Sequence, residues 1–417
     1  MEPTVPADSL SPHVSDPAPG PGIRARAEAR AGLYVHVPFC PTRCGYCDFA
    51  SGRASGDAFD RYLEGVAREA ALRASDAAGL EFTSVFFGGG TPSVLPARHF
   101  RRLTETLRAH FAIHPDAEIT LEANPESVRG ALLDAWCEAG VNRLSLGAQS
   151  FVPEELERLG RLHGAERPAE ALALARARGL SRLSLDLMFG FPGHTLAAWR
   201  HSVETALGLG IEHLSAYCFI PEAGTPLGNA TLRGDVALPD ADAQAEGYAW
   251  LTARAAAAGF ACYETSNFCR PGAEARHNLT YWLRRPYVAL GPSAHGHVNG
   301  ERYANHYALE RWARELEHGV RPEASRERET PDSIAQETMM LGLRLGGGLD
   351  PRDHTPEQAE GLARRYGAAF AAAVAGGRLE RAGGNLRVPE PLRFVADDVL
   401  AWLEARADDL TWAARAS

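Results

Sequence analysis

The sequence predicts an α/β fold, a partial (β/α)6 barrel followed by a small C-terminal α+β domain, on three observations. Six short apolar runs of strand length recur from residue 33 onward. Longer stretches of helical period lie between them, and short turns punctuate each exchange. After about residue 326 the alternation stops, and helices with one strand-like run replace it. Repeated βα units favour parallel strands with helices outside, so the first part reads as an open, TIM-like barrel. A closed eight-unit barrel needs two more repeats, and no clear runs supply them.

The expected strands are Leu33–Val37, Ser84–Phe87, Glu118–Leu121, Arg143–Leu146, Leu183–Leu187 and His213–Tyr217. Phe59, Tyr62, Leu63 and Val66 fall at i, i+3, i+4 and i+7, one face of a helix. Leu103, Leu107 and Phe111 mark a similar face in the next interval. Further helices fit at Ser127–Ala139, Arg167–Arg178, Leu196–Leu207 and Asp240–Ala258. In the last part, a helix over Ser333–Leu343 leads through Gly346, Gly347 and Gly348 to a second near Pro356–Ala375. A strand-like Asn385–Val388 and a final helix, Val395–Ala405, complete a unit of winged-helix-like pattern. That segment is not basic, so a structural or lid role is the better expectation than DNA binding. The expected domains are therefore a tail over 1–30, the barrel over 31–270, a connecting segment over 271–325 and the C-terminal domain over 326–417.

Composition narrows the function. The tail carries Pro3, Pro6, Pro12, Pro17, Pro19 and Pro21 among small residues, too little apolar surface to offset its ordering entropy, and disorder is expected. The chain of 417 residues is 45% hydrophobic and 23% charged, ordinary for a globular protein with a sizeable core. No apolar run reaches the roughly 18 residues of a transmembrane helix. At most peripheral membrane contact is expected. A net charge of −10 argues against a nucleic-acid partner. Seven clustered cysteines are too few for a disulfide framework. With no apolar leader near the start, a reducing cytoplasm is the expected location, where thiols are free to bind metal.

The informative stretch runs Leu33-Tyr-Val-His-Val-Pro-Phe-Cys40-Pro-Thr-Arg-Cys44-Gly-Tyr-Cys47-Asp-Phe49. Its C-x₃-C-x₂-C triad follows the first strand, on the functional face of a βα barrel. Three thiolates on a tight loop can each hold one iron of a cubane cluster and leave the fourth iron open. Zinc would want a fourth ligand; the usual second cysteine pair is absent, and His36 is a weak stand-in. A redox pair of Cys44 and Cys47 would leave Cys40 unexplained.

Other polar groups stand where strands stop, and such ends converge on one site. Gly88-Gly89-Gly90-Thr91 allows close backbone approach to a ligand. Glu122 ends the third strand, Gln149 follows the fourth, and Asp186 interrupts the apolar fifth. A buried acid is costly unless paired; the plain alternative for Asp186 is an ion pair with Arg143 or Arg161. His277-Asn278-Leu-Thr-Tyr281-Trp282 sets an imidazole beside two aromatics, a pattern suited to haem but equally to a turn cap beside core aromatics. His295, in Gly291-Pro-Ser-Ala-His-Gly296, is a second candidate. Cys137, Cys218, Cys262 and Cys269 read as small buried apolar groups.

The triad resembles the radical S-adenosylmethionine (SAM) signature, and its flanks resemble the oxygen-independent coproporphyrinogen III oxidase-like proteins, specifically their HemW haem-chaperone branch. The resemblance covers residues 33 to about 405. It includes Phe87-Gly-Gly-Gly-Thr-Pro-Ser93, Glu122-Ala-Asn-Pro125, Arg143-Leu-Ser-Leu-Gly-Ala-Gln-Ser-Phe151, Asp186-Leu-Met-Phe-Gly-Phe-Pro192 and the His277–Trp282 segment. Coproporphyrinogen dehydrogenases carry a fourth cysteine two residues after the third; here Phe49 stands there, as in the chaperone branch. Their N-terminal extension has no counterpart either.

The resemblance implies a [4Fe-4S] cluster on Cys40, Cys44 and Cys47, with SAM held by Tyr34, Tyr46, Gly90, Thr91, Glu122, Gln149, Arg161 and Asp186. It implies haem at His277, a HemN-type C-terminal domain over 326–417, and an acceptor protein to which haem is passed. The expected protein is a monomer or homodimer acting as a haem chaperone without coproporphyrinogen dehydrogenase activity, the enzyme being the alternative.

Overall fold

The computed structural model describes residues 30–52 and 56–416. The expected tail lies outside them except for Arg30, which opens the first strand. The six anticipated strands form and run longer than their apolar cores: β1 (Arg30–Val37), β2 (Glu81–Gly89), β3 (Ile113–Ala123), β4 (Arg143–Gln149), β5 (Arg182–Phe189) and β6 (His213–Cys218). They are parallel and adjacent in chain order. Crossover helices return the chain each time: α1 (Gly56–Arg73), α2 (Ala97–His110), α3 (Gly130–Glu138), α4 (Pro153–Arg158), α5 (Arg167–Arg176) and α6 (Leu196–Gly208).

Period-2 alternation explains the layering. Leu121, Leu144, Leu146, Leu185, Leu187 and Leu214 point outward and are buried against Leu103, Leu107, Trp136 and Trp199 of the helices. The alternate positions point into the barrel and are polar: Glu118, Thr120, Glu122, Ser145, Ser184, Asp186 and Ser215. The polar inner face therefore supplies the groups of the site. Helix α2 stops at His110, one residue before expected; Phe111 is extended backbone and still packs in the core.

Six short strands extend the sheet, and apolar pattern gave no sign of them. Beyond β6 come α7 (Pro226–Leu232), α8 (Ala241–Ala257), β7 (Ala261–Glu264), β8 (Asn267–Cys269) and α9 (Arg276–Trp282). Then β9 (Tyr287–Leu290) pairs in parallel with β1, setting Ala289 opposite Tyr34. Strands β10 (His295–Val298), β11 (Glu301–Asn305) and β12 (Glu323–Arg328) continue antiparallel, with α10 (Leu309–Glu317) between the last two. The order is β12-β11-β10-β9-β1-β2-β3-β4-β5-β6-β8-β7, with β12 and β7 its two ends, so the barrel stays open among the described residues.

The C-terminal part holds α11 (Pro331–Gly342), α12 (Pro356–Ala375), a hairpin of β13 (Glu380–Ala382) and β14 (Asn385–Arg387), and α13 (Ala396–Ala416). It has its own core around Met339, Leu362, Tyr366, Phe370 and Leu403. Thr330 and Thr355 start the first two helices with reciprocal capping boxes. Phe394 joins this part to the barrel by packing 5.2 Å from Tyr248.

Candidate metal and cofactor site

The loop after β1 carries the cysteine triad, and four contacts fix it. Cys40 N–H donates to Gly52 O at 3.1 Å, and Gly52 N–H returns to Pro38 O at 2.9 Å. From outside, Leu227 N–H donates to Gly45 O at 2.8 Å and the Tyr307 hydroxyl to Asp48 O at 3.2 Å. His36 braces the loop from within. Its Nε2 lies 2.9 Å from Ala50 O and its Nδ1 3.1 Å from the Tyr34 hydroxyl, as suits an Nε2–H tautomer. Gly89, at φ 107°, lies under that ring, where a Cβ would come within 2.6 Å of it. Gly90 is equally obligatory, for a Cβ there would meet Phe39 O at 2.7 Å.

The three thiols are free and half-buried, and they open into a cleft of about 450 Å³. That volume is in the range of small-molecule cofactor sites. Burial pushes the Cys47 thiol up to about 11 and raises Cys40 as well, so their thiolates need compensating positive charge. Donors are in place: Thr91 Oγ1 lies 3.1 Å from Cys40 Sγ, and Arg161 Nη1 donates to Cys44 Sγ at 3.4 Å. Among the described residues, no three His, Cys, Asp or Glu side chains gather around a single ion. Three spaced thiolates with hydrogen-bond donors behind them suit a cubane cluster, each sulfur on its own iron.

Of the residues expected to hold SAM, Tyr46, Gly90, Thr91, Glu122, Gln149, Arg161 and Asp186 line this one cleft. Tyr34 does not. It is deeper in the barrel, stacked 6.2 Å from Phe86 and 6.4 Å from His277. Gln149 takes a left-handed φ of 66° at a register shift in β4, strain that a non-glycine residue holds only where its surroundings fix it. Burial, and then the nearby Asp186 charge, pushes the Glu122 carboxyl up to about 8. Burial raises Asp186 to about 6, opposed by hydrogen bonds from Ser215 and Ser145; the Ser145 hydroxyl donates to Asp186 at 3.1 Å. No ion pair with Arg143 or Arg161 forms, so the serines replace the alternative anticipated for Asp186.

Sequence reasoning missed the groups that position others. Arg161 Nη2 donates to Asn124 Oδ1 at 2.7 Å and to Gly147 O at 2.8 Å. Asn124 stands two residues past Glu122 at the end of β3, and that placement was the available signal.

His277, expected to meet haem, does not line this cleft. The side chain is fully buried, with Nδ1 2.9 Å from Ser84 Oγ and Nε2 2.7 Å from the Tyr281 hydroxyl. Burial lowers its pKa to about 3, so it stays neutral. Both ring nitrogens are hydrogen-bonded within the fold in this arrangement. Its ring stacks on Phe86 at 5.2 Å, and Gly32 leaves just enough room beneath it. The segment rivets α9 into the barrel.

Residues 34–206 match the family model described as the radical SAM superfamily. The heme chaperone HemW of Mycobacterium tuberculosis is 38% identical over 386 residues, which span 92% of this chain and 97% of that protein. The heme chaperone HemW of Bacillus subtilis is 35% identical over 320 residues, 76% of this chain and 84% of that one. Among solved structures, the coproporphyrinogen III oxidase HemN of Escherichia coli superposes with a TM-score of 0.77 over 91% of both chains. At 22% identity that likeness concerns the fold alone. Fold and cleft together define a radical SAM protein. Within that class, the chain belongs to the HemW family. No helix among the described residues is long and apolar enough to cross a membrane.

Proposed function

We propose that this protein is a cytoplasmic haem chaperone that binds haem and passes it to an acceptor protein, on a radical SAM scaffold. Cys40, Cys44 and Cys47 hold a [4Fe-4S] cluster, and SAM occupies the cleft beside it. The observation that carries this reading is the convergence of the triad, Glu122, Gln149, Arg161 and Asp186 on one cleft. The near full-length match to proteins named heme chaperones supports the choice of cargo.

When bound, the cluster can deliver an electron to a sulfonium and cleave a C–S bond. This chain's own residues bind and orient. Arg161 sits between the Cys44 sulfur and the strand-end carbonyl of Gly147, suited to a carboxylate as well as to a thiolate. Glu122 and Asp186 offer carboxyl oxygens to ribose hydroxyls or an ammonium group. The Tyr46 ring and Met188 wall the cleft and keep water from it.

The enzymatic alternative, coproporphyrinogen III dehydrogenase, is disfavoured by Phe49, which stands 61% exposed at the cleft where a fourth cysteine would lie. The test is anaerobic incubation of reconstituted protein with haem and then with a haem-free globin. Haem uptake followed by transfer is expected. No uptake, or formation of the divinyl product from coproporphyrinogen III at enzymatic rates, would overturn the reading.

A further inference from the structure

We propose that Asn124 is a positioning residue that aims two hydrogen-bond donors, the Thr91 hydroxyl and the Arg161 guanidinium, at the sulfurs of Cys40 and Cys44. The inference rests on the reading of the cysteine loop as a cluster site. Five side chains form a closed circuit that leaves this loop and returns to it. Cys40 Sγ lies 3.1 Å from Thr91 Oγ1, and Asn124 Nδ2 donates to that same oxygen at 3.4 Å. On its other side Asn124 Oδ1 accepts from Arg161 Nη2 at 2.7 Å, and Arg161 Nη1 donates to Cys44 Sγ at 3.4 Å. The circuit joins the loops after β1, β2 and β3 to the turn after α4.

The chemistry of the groups fixes the direction of each bond. A guanidinium has no acceptor, so the oxygen of the Asn124 amide must face Arg161 and its NH₂ must face Thr91. The Thr91 oxygen accepts from that amide, and its one proton remains for Cys40 Sγ. An aspartate at position 124 would reverse the second bond. A carboxylate only accepts, so it would draw the Thr91 proton away from the sulfur while still holding Arg161. Hydrogen bonds to the sulfurs help to set the potential of an iron–sulfur cluster, so the amide acts on the metal centre without touching it.

Both ends of the circuit are held in place. Ser127 N–H donates to Asn124 O at 2.9 Å, and Ser127 Oγ lies 2.6 Å from Ser93 Oγ. That contact ties the loop carrying Asn124 to the loop carrying Thr91. Thr91 N–H in turn donates to Phe39 O at 2.8 Å, next to Cys40. Arg161 Nε is buried with no partner among the described residues, so the contacts of the two Nη atoms set the plane of the guanidinium. One of those contacts is Gly147 O, at 2.8 Å, and the other two are Asn124 and Cys44.

The test is a double-mutant cycle on the full-length, anaerobically reconstituted protein, read as the midpoint potential of the cluster. The substitutions are Thr91→Val and Asn124→Asp, alone and together, with Asn124→Ala as a second background. In the otherwise unaltered protein, Thr91→Val should shift the potential negative. In the Asn124→Asp background the hydroxyl already points away from Cys40, and Thr91→Val should shift the potential at most about a third as far. Asn124→Ala, which frees the hydroxyl to turn, should also diminish that shift. Electron nuclear double resonance of the reduced cluster gives a second reading: the exchangeable proton lost in Thr91→Val should be lost in Asn124→Asp as well. An undiminished Thr91→Val shift in the Asn124→Asp background, or survival of that proton in Asn124→Asp, would overturn the assignment. If Asn124→Asp takes up no cluster, an undiminished shift in the Asn124→Ala background would overturn it. Absence of a cluster from the unaltered protein would overturn the proposed function, and this inference with it.

Discussion

The Ser84 hydroxyl and His277 Nδ1 lie 2.9 Å apart inside the barrel, and this contact ties α9 to β2 from within. Tyr281 takes the other nitrogen, so the ring is held on both sides within the fold. His277→Ala should cost about 2–4 kcal/mol, from two buried hydrogen bonds and the space the ring leaves. Chemical denaturation measures it. An effect below about 0.5 kcal/mol would show that the contacts carry no weight.

Glu122 predicts a pH effect on the ligand-free protein. Its carboxyl is pushed from about 4.5 up to about 8, so the folded state holds a proton that the unfolded state releases. The associated stability is complete below about 4.5 and is lost as pH rises through 8. Glu122→Gln removes this dependence while keeping an acceptor for Gly89 N–H. At pH 8.5 the variant should be more stable than the unaltered protein by at least about 1 kcal/mol, and near pH 5 the two should agree. Melting curves across pH decide; parallel curves would contradict the assignment.

Thr91 and Arg161 lie against two of the three cluster sulfurs. Hydrogen bonds to sulfur stabilise the more negative, reduced cluster. Thr91→Val should therefore shift the midpoint potential negative, on the order of tens of millivolts, without loss of iron. Spectroelectrochemistry reads the shift, and an unchanged potential would refute the role.

Gly90 has no room for a methyl group, since its obstacle is the Phe39 backbone rather than a side chain that could turn aside. Gly90→Ala should displace the start of the cysteine loop and lower cluster content several-fold after reconstitution. Full iron and sulfide content would contradict that packing.

The parallel half of the fold was legible because each strand has an apolar outer face, and helices of clear period cover it. Leu185 and Leu187 around Asp186 show both signals in one strand: a core face and a polar group aimed at the site. The antiparallel edges were not legible. Strand β12 reads Glu-Ala-Ser-Arg-Glu-Arg, held to β11 by ion pairs such as Arg328 to Glu301 at 3.1 Å and not by apolar alternation. Strands β9 and β10 span four residues each, too short for a period to show. Within the site, residues at strand ends could be found from their position, whereas His277 could not be judged. Its burial depends on Ser84, nearly two hundred positions away in sequence. The same holds for Arg161, whose role emerges only from contacts with Asn124, Gly147 and Cys44.

Iron and acid-labile sulfide analysis of the anaerobically reconstituted protein, with electron paramagnetic resonance before and after adding SAM, bears most directly on the cysteine loop. Iron and sulfide in equal amounts are expected, with a reduced-cluster signal that changes when SAM is added and disappears in Cys44→Ala. Zinc without sulfide, or a cluster signal indifferent to SAM, would contradict the assignment of Cys40, Cys44 and Cys47 as an open-cornered cluster site.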